Sequence, residues 1–228
     1  MRQLKYLIFM LAAISAQGQT NARLTAADIL KKAADKMRDA PYYSFSTAYA
    51  LYENYSSAKA KETHTGITLK KDGVYYNKIK NTEFVGFKGY TVKVNSDQKA
   101  IQIVKTDHAQ LPVDIESYLK GYQLKLIGNN KTYWICEISP PKVSQVPFSK
   151  ILFYVNRKDF TIIGQKTYLF GHMENDQLIS GQRLEATFKE RKPSPNDSFL
   201  TSEKNYFIRS GKEIKPAARF NGYKLFKA

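Results

Sequence analysis

The first periodicity along the chain is helical. Across residues 24–40 (LTAADILKKAADKMRDA) Leu24, Ala27, Ile29, Leu30, Ala33, Ala34 and Met37 recur at helical spacing. Thr25 stands where an N-cap belongs, Asp28 completes a capping box, and Pro41 ends the element. After Pro41 the period drops to two. In YYSFSTAYALYENY (residues 42–55) Tyr43, Phe45, Thr47, Tyr49 and Leu51 share one face of a strand, while Ser44, Ser46, Ala48 and Ala50 take the other. A hairpin follows: Thr65, Ile67 and Leu69 alternate, Asp72-Gly73 signals a type I′ turn, and Tyr75, Asn77 and Ile79 return. The strands TEFVGF, YTVKV (Tyr90, Val92, Val94) and AIQIV (Ile101, Ile103) come next.

LPVDIESYLKGY interrupts the alternation. Pro112 opens a short helix with Val113, Ile115 and Leu119 inward, and Gly121 closes it. Strands resume through Tyr122, Leu124 and Leu126, an Asn129-Asn130 turn, and Trp134, Cys136 and Ile138. Past the loop SPPKVSQVP come KILFYV, FTIIGQKTYLF and RLEATFKE; RKPSPNDS reads as a loop, KNYFIRS as a last strand, and the tail is basic and aromatic. About ten short strands, two helices and no βαβ alternation predict one α+β domain. A twisted sheet of that size curls. The expected architecture is therefore a strongly curved antiparallel sheet forming an incomplete β-barrel. The N-terminal amphipathic helix and the short second helix would cover its concave face.

Composition and charge add the compartment. Arg2 and Lys5 precede the apolar run Tyr6 to Ile14, and Ala16 and Gly18 occupy the small positions before a cleavage point. Residues 1–18 thus read as a signal peptide and 19–228 as a single domain that leaves the cytoplasm. The apolar run is shorter than the roughly 20 residues that span a bilayer. Losing Arg2 and Lys5 leaves 34 basic against 20 acidic residues, a net charge of +14. That balance favours an anionic membrane surface or envelope protein as partner, and export argues against nucleic acid. Lysines among the aromatics of residues 76–94 are what a sheet with one wet face produces. The single cysteine, Cys136, excludes an intramolecular disulfide and sits among apolar neighbours.

Catalytic chemistry is sparse. His64, His108 and His172 are isolated, with no H-E-x-x-H spacing, so no metal site is expected. Ser117–Lys120 (SYLK) matches an S-x-x-K pattern without its companion S-D-N and K-T-G motifs. Asp114 and Glu116 stand two apart, a spacing that does not bring helical side chains together. Neither an enzyme nor a cofactor is expected.

The order of elements resembles a known family. A signal peptide, one amphipathic helix, the aromatic strand YYSFSTAYALY, the hairpin GITLKKDGVYYNKI, and later YWICEISPPK and SKILFYVNRKDFTIIGQKTY are similar to the LolA/LolB-like lipoprotein-carrier fold of Gram-negative envelopes. The resemblance spans about residues 24–210. It implies a periplasmic, soluble protein holding acyl chains in an apolar cavity under helical lids. Residues 42–55 carry no arginine, which family members place on the early strand.

The leading expectation is an exported, non-catalytic envelope protein, carrier or sensor, that binds a lipid or the acyl chain of an acylated protein. Tyr43, Phe45, Tyr49 and Leu51 would form one cavity wall; Ile67, Leu69, Tyr90, Val92, Ile101 and Ile103 would continue it. Leu30, Ala34 and Met37 would face it from the lid. The alternative is a structural or interaction protein of the envelope whose inner face is filled core and whose basic surface docks a partner. A hydrolase would need a triad assembled from distant segments.

Overall fold

The computed structural model describes residues 24–106, 115–174, 177–179, 181–211 and 213–227. The expected signal peptide, His108, Pro112, Val113 and Asp114 lie outside them. Helix α1 (Ala26–Asp39) opens the described chain, with the predicted capping box formed: Asp28 N–H donates to Thr25 Oγ1 at 3.2 Å and Thr25 N–H to Asp28 Oδ2 at 2.9 Å. Its buried stripe is Ala26, Ile29, Leu30, Ala33 and Ala34, so Ala26 takes the place expected for Ala27, which is exposed.

Strands β1 (Tyr42–Tyr52), β2 (Glu62–Lys71), β3 (Val74–Ile79), β4 (Thr82–Phe87), β5 (Tyr90–Asn95) and β6 (Ala100–Lys105) follow as a meander. Asp72 and Gly73 both take positive φ, 51° and 78°, as a I′ turn between β2 and β3 demands. Helix α2 (Ile115–Leu119) leads into β7 (Gln123–Asn129), β8 (Tyr133–Ser139), β9 (Phe148–Asn156) and β10 (Ile162–Leu169). A small ribbon of β11 (His172–Glu174) and β12 (Gln177–Ile179) precedes β13 (Arg183–Glu190). RKPSPNDS is not all loop: its end folds into helix α3 (Asn196–Leu200). A second ribbon, β14 (Phe207–Ser210) with β15 (Glu213–Pro216), leads to β16 (Lys224–Lys227).

Twelve strands make one open sheet in the order β16-β6-β5-β4-β3-β2-β1-β13-β10-β9-β8-β7. The curved sheet does not close, so it is an incomplete barrel. All neighbours pair antiparallel except β16, which runs parallel to β6. The expected curved antiparallel sheet is present, with that one parallel edge added because the last strand arrives by a crossover from the C-terminal ribbon and not by a hairpin.

Two cores form on opposite faces. On the concave face α1 and α2 bury Ile29, Leu30, Ala33 and Ile115 against Trp134, Cys136, Ile138, Ile151, Phe153 and Val155 of β8 and β9. On the convex face the segment from α3 to β16 buries Tyr206, Phe207 and Phe220 against Leu69, Tyr76, Val85, Val92, Val94, Ile101 and Ile103. The convex cover is fastened by polar bonds. Asp197, 2% exposed, accepts from Tyr42 Oη at 2.8 Å, from Ser194 N–H at 2.9 Å and from Arg191. Arg219 stacks on Phe220 and Tyr206, with its guanidinium 4.2 and 4.4 Å from the ring centres, and reaches Glu83 at 3.3 Å.

Candidate functional site

Between the two covers the concave face is hollow. A cavity of about 600 Å³ opens over β1, β2, β3, β4, β10 and β13 beside the C-terminal end of α1. Its apolar wall is Tyr43, Phe45 and Tyr49 from β1, Tyr75 and Ile79 from β3, Phe84 from β4, Ile162 from β10, and Leu184, Ala186 and Phe188 from β13; Met37 closes one end. Phe45 meets Phe188 edge to face at 6.5 Å and Tyr43 at 5.6 Å, an aromatic corner at the middle of the sheet. Gly66 makes room for the Tyr49 ring: a Cβ there would stand 3.1 Å from Tyr49 Cε2 and 2.3 Å from the Lys78 carbonyl oxygen.

The polar groups of the floor are paired among themselves. Asn77 Nδ2 donates to Thr68 Oγ1 at 2.9 Å, Thr68 lies 3.4 Å from Thr47 Oγ1, and Gln165 Nε2 donates to Thr167 Oγ1 at 2.9 Å. Tyr43 is the exception. Its buried hydroxyl has no hydrogen-bond partner among the described residues, and burial, with Tyr75 alongside, pushes its phenol upward. The α1 end is held by two lysines. Lys36 Nζ donates to Thr161 Oγ1 at 2.6 Å and to the Asp159 carbonyl at 2.8 Å. Buried Lys70 donates to the carbonyls of Met37 and Arg38, the unpaired acceptors at the helix C-terminus. Burial lowers the Lys70 pKa.

Cys136 lies in the concave core, where burial pushes its thiol up to about 12, so it is the protonated, unreactive form. His64 pairs with Glu62 at 3.1 Å. Among the described residues no three His, Cys, Asp or Glu side chains group to hold a metal.

The structure divides the residues proposed from sequence. Tyr43, Phe45, Tyr49 and Met37 line the cavity. Leu51 shares their face but lies past its end, opposite Leu184. Leu30 and Ala34 face the concave core under α1 rather than the hollow. Ile67, Leu69, Tyr90, Val92, Ile101 and Ile103 sit on the other side of the sheet, in or against the convex core. The physical reason is register. Ser44, not Tyr43 or Phe45, stands opposite Leu69, so the apolar set of β2 faces away from that of β1. Sequence reasoning missed Thr68, Tyr75, Asn77, Ile79, Phe84, Ile162, Leu184, Ala186 and Phe188 of the wall, and for the first four a usable signal exists. A two-residue turn at Asp72-Gly73 pairs Leu69 with Tyr76 and Thr68 with Asn77, which sends Ile67 and Leu69 to the face opposite Tyr75, Asn77 and Ile79.

No protein-family model matches the chain, and no curated protein matches its sequence. Among solved structures the chain is similar to a LolA superfamily protein from Nitrosomonas europaea, with 15% identity over 78% of this chain and 98% of that one and a TM-score of 0.36. It is also similar to a putative outer membrane lipoprotein-sorting protein domain from Vibrio parahaemolyticus (10% identity, 76% and 97% covered, TM-score 0.33). A third is an uncharacterized conserved protein from Thermus thermophilus (10% identity, 89% and 99% covered, TM-score 0.48). All three TM-scores lie below 0.5, so the architecture stands on the strand pairing itself. No described helix is long and apolar enough to cross a membrane.

Proposed function

We propose that this chain is an exported, non-catalytic carrier or sensor of the cell envelope that holds the apolar chain of an amphiphile, a lipid or the acyl group of an acylated protein. One observation carries the reading: the ring-lined hollow of about 600 Å³ between the two cores. Its size falls in the roughly 300–1,000 Å³ range of small-molecule sites. Each methylene moved from water onto such a wall contributes about 0.8 kcal/mol, so rings and aliphatic groups suffice without a charged anchor. The floor's self-paired Thr68, Asn77, Gln165 and Thr167 leave few polar groups competing for water. The signal-like first 18 residues support a periplasmic location for that role.

Native mass spectrometry of the protein isolated from envelopes tests the proposal. The expected spectrum holds a copurifying amphiphile that organic extraction removes and added lysophospholipid replaces, with a gain in thermal stability. Ligand-free protein that gains nothing from added lipid would exclude it.

A further inference from the structure

Beyond the cavity the concave face continues without a cover among the described residues. One cross-strand row runs over it: Phe45 pairs with Thr68, Thr68 with Asn77, Asn77 with Phe84, Phe84 with Lys93, Lys93 with Gln102, and Gln102 with Phe226. Directly paired residues share a face, so the row begins inside the cavity and ends on the outer strand of the sheet. Its inner members are half or fully buried. Its outer rings are not: Phe84 is 38% and Phe226 52% exposed. Phe84 belongs to both regions, since it also lines the cavity.

The charges on this outer part have one sign. Lys93 lies with its Nζ 5.6 Å from the centre of the Phe84 ring, and Lys224, paired with Ala100, shares the face of Phe226. The one carboxylate of the four strands, Glu83, is buried on the opposite face and bonds Arg219. Exposed rings flanked by lysines, on strands whose one carboxylate faces away and with Asp97 confined to the β5–β6 turn, where it accepts from Asn81 Nδ2 at 2.7 Å, have the chemistry of a membrane-interface site: rings settle at headgroup depth and ammonium groups meet lipid phosphates. We infer that the outer concave face of β4, β5, β6 and β16 docks on an anionic phospholipid bilayer, with Phe84 at the passage between bilayer and cavity.

The inference uses the cavity only to place the mouth, and docking is measured without ligand, so the two readings fail separately. The natively processed protein, its mass verified, is sedimented with vesicles of phosphatidylglycerol and phosphatidylcholine and with vesicles of phosphatidylcholine alone. Binding is expected to the first and not to the second, weakening about tenfold or more near 0.5 M salt. Lys93→Glu with Lys224→Glu should weaken it at least about tenfold, and Phe226→Ser should weaken it in either background. All three side chains lie outside the cavity, so retention of lysophospholipid by native mass spectrometry should not change. Equal sedimentation of wild type and the double-lysine variant overturns the inference. So does wild-type protein that sediments with neither vesicle, a result that would hand the patch to an acidic protein partner.

Discussion

At one end of the sheet, β8 and β9 bury their concave side chains under α1 and α2; at the other, β2 to β6 bury their convex side chains under the C-terminal segment. The same alternation serves both ends, but the covers lie on opposite sides. Where the first cover stops and the second has gone to the back, the middle strands keep a concave face with rings and, among the described residues, nothing over it. The hollow therefore needs no unusual residue. It is what remains when one curved sheet is capped on different faces at its two ends, and its continuation toward β16 is the exposed row of Phe84, Lys93 and Phe226.

The two cores should answer alike to truncation, and the hollow should not. Phe153→Ala in the concave core and Phe207→Ala in the convex core are each expected to cost about 3–5 kcal/mol in denaturant unfolding, because both side chains are fully buried. Phe45→Ala, on the hollow's wall, should cost far less stability while weakening ligand retention. A Phe45 cost equal to that of Phe153 would erase the contrast.

The convex cover should also be the acid-sensitive one. Burial alone would raise the Asp197 pKa, but bonds from Arg191, the Ser194 N–H and Tyr42 outweigh it and hold the carboxyl below its usual range. A depressed carboxylate pKa stabilises the fold above the unfolded value of about 4 and loses that contribution as pH falls through the folded value. Asp197→Asn should thus destabilise by about 3 kcal/mol at neutral pH and flatten the acid limb of the stability curve. An unchanged acid limb would show that the anchor lies elsewhere.

Smaller effects sharpen the boundary between wall and core. Tyr43→Phe removes a buried hydroxyl without a partner among the described residues, so thermal melts should show no loss and a gain of up to about 1 kcal/mol; a loss of that size would reveal a partner. Thr25→Ala removes the N-cap of α1 and should cost about 1 kcal/mol in the same assay.

How much of this could be read from the residues follows from what sets each feature. Local devices were legible: the Thr25–Asp28 box, the α1 stripe, the Asp72-Gly73 turn and the alternation within each strand depend on neighbours in sequence. Which face each strand presents depends on pairing across longer connections. Residues 53–61 separate β1 from β2, and no two-residue turn sets their register, so Tyr43 and Leu69 read as companions although they face apart. The hairpin at Asp72-Gly73 did contain enough to place Tyr75 and Asn77 opposite Leu69. The convex cover was hidden for another reason: Tyr206, Phe207 and Phe220 lie in short pieces with little periodicity, and β16 reaches β6 by a parallel crossover.

The hollow itself is tested by filling it. Ala186, on β13, faces the cavity between Tyr49 and Gln165. In a packed core Ala186→Trp would force overpacking that costs about 1–3 kcal/mol; in a hollow the indole enters free space. Binding of an environment-sensitive fluorescent acyl probe and the melting temperature are measured together for wild type and Ala186→Trp. The expected result is saturable binding by wild type, weakened at least about tenfold in the variant, at an unchanged melting temperature. A variant that melts several degrees lower, beside a wild type that does not bind the probe, would show that the concave face is filled and contradict the account.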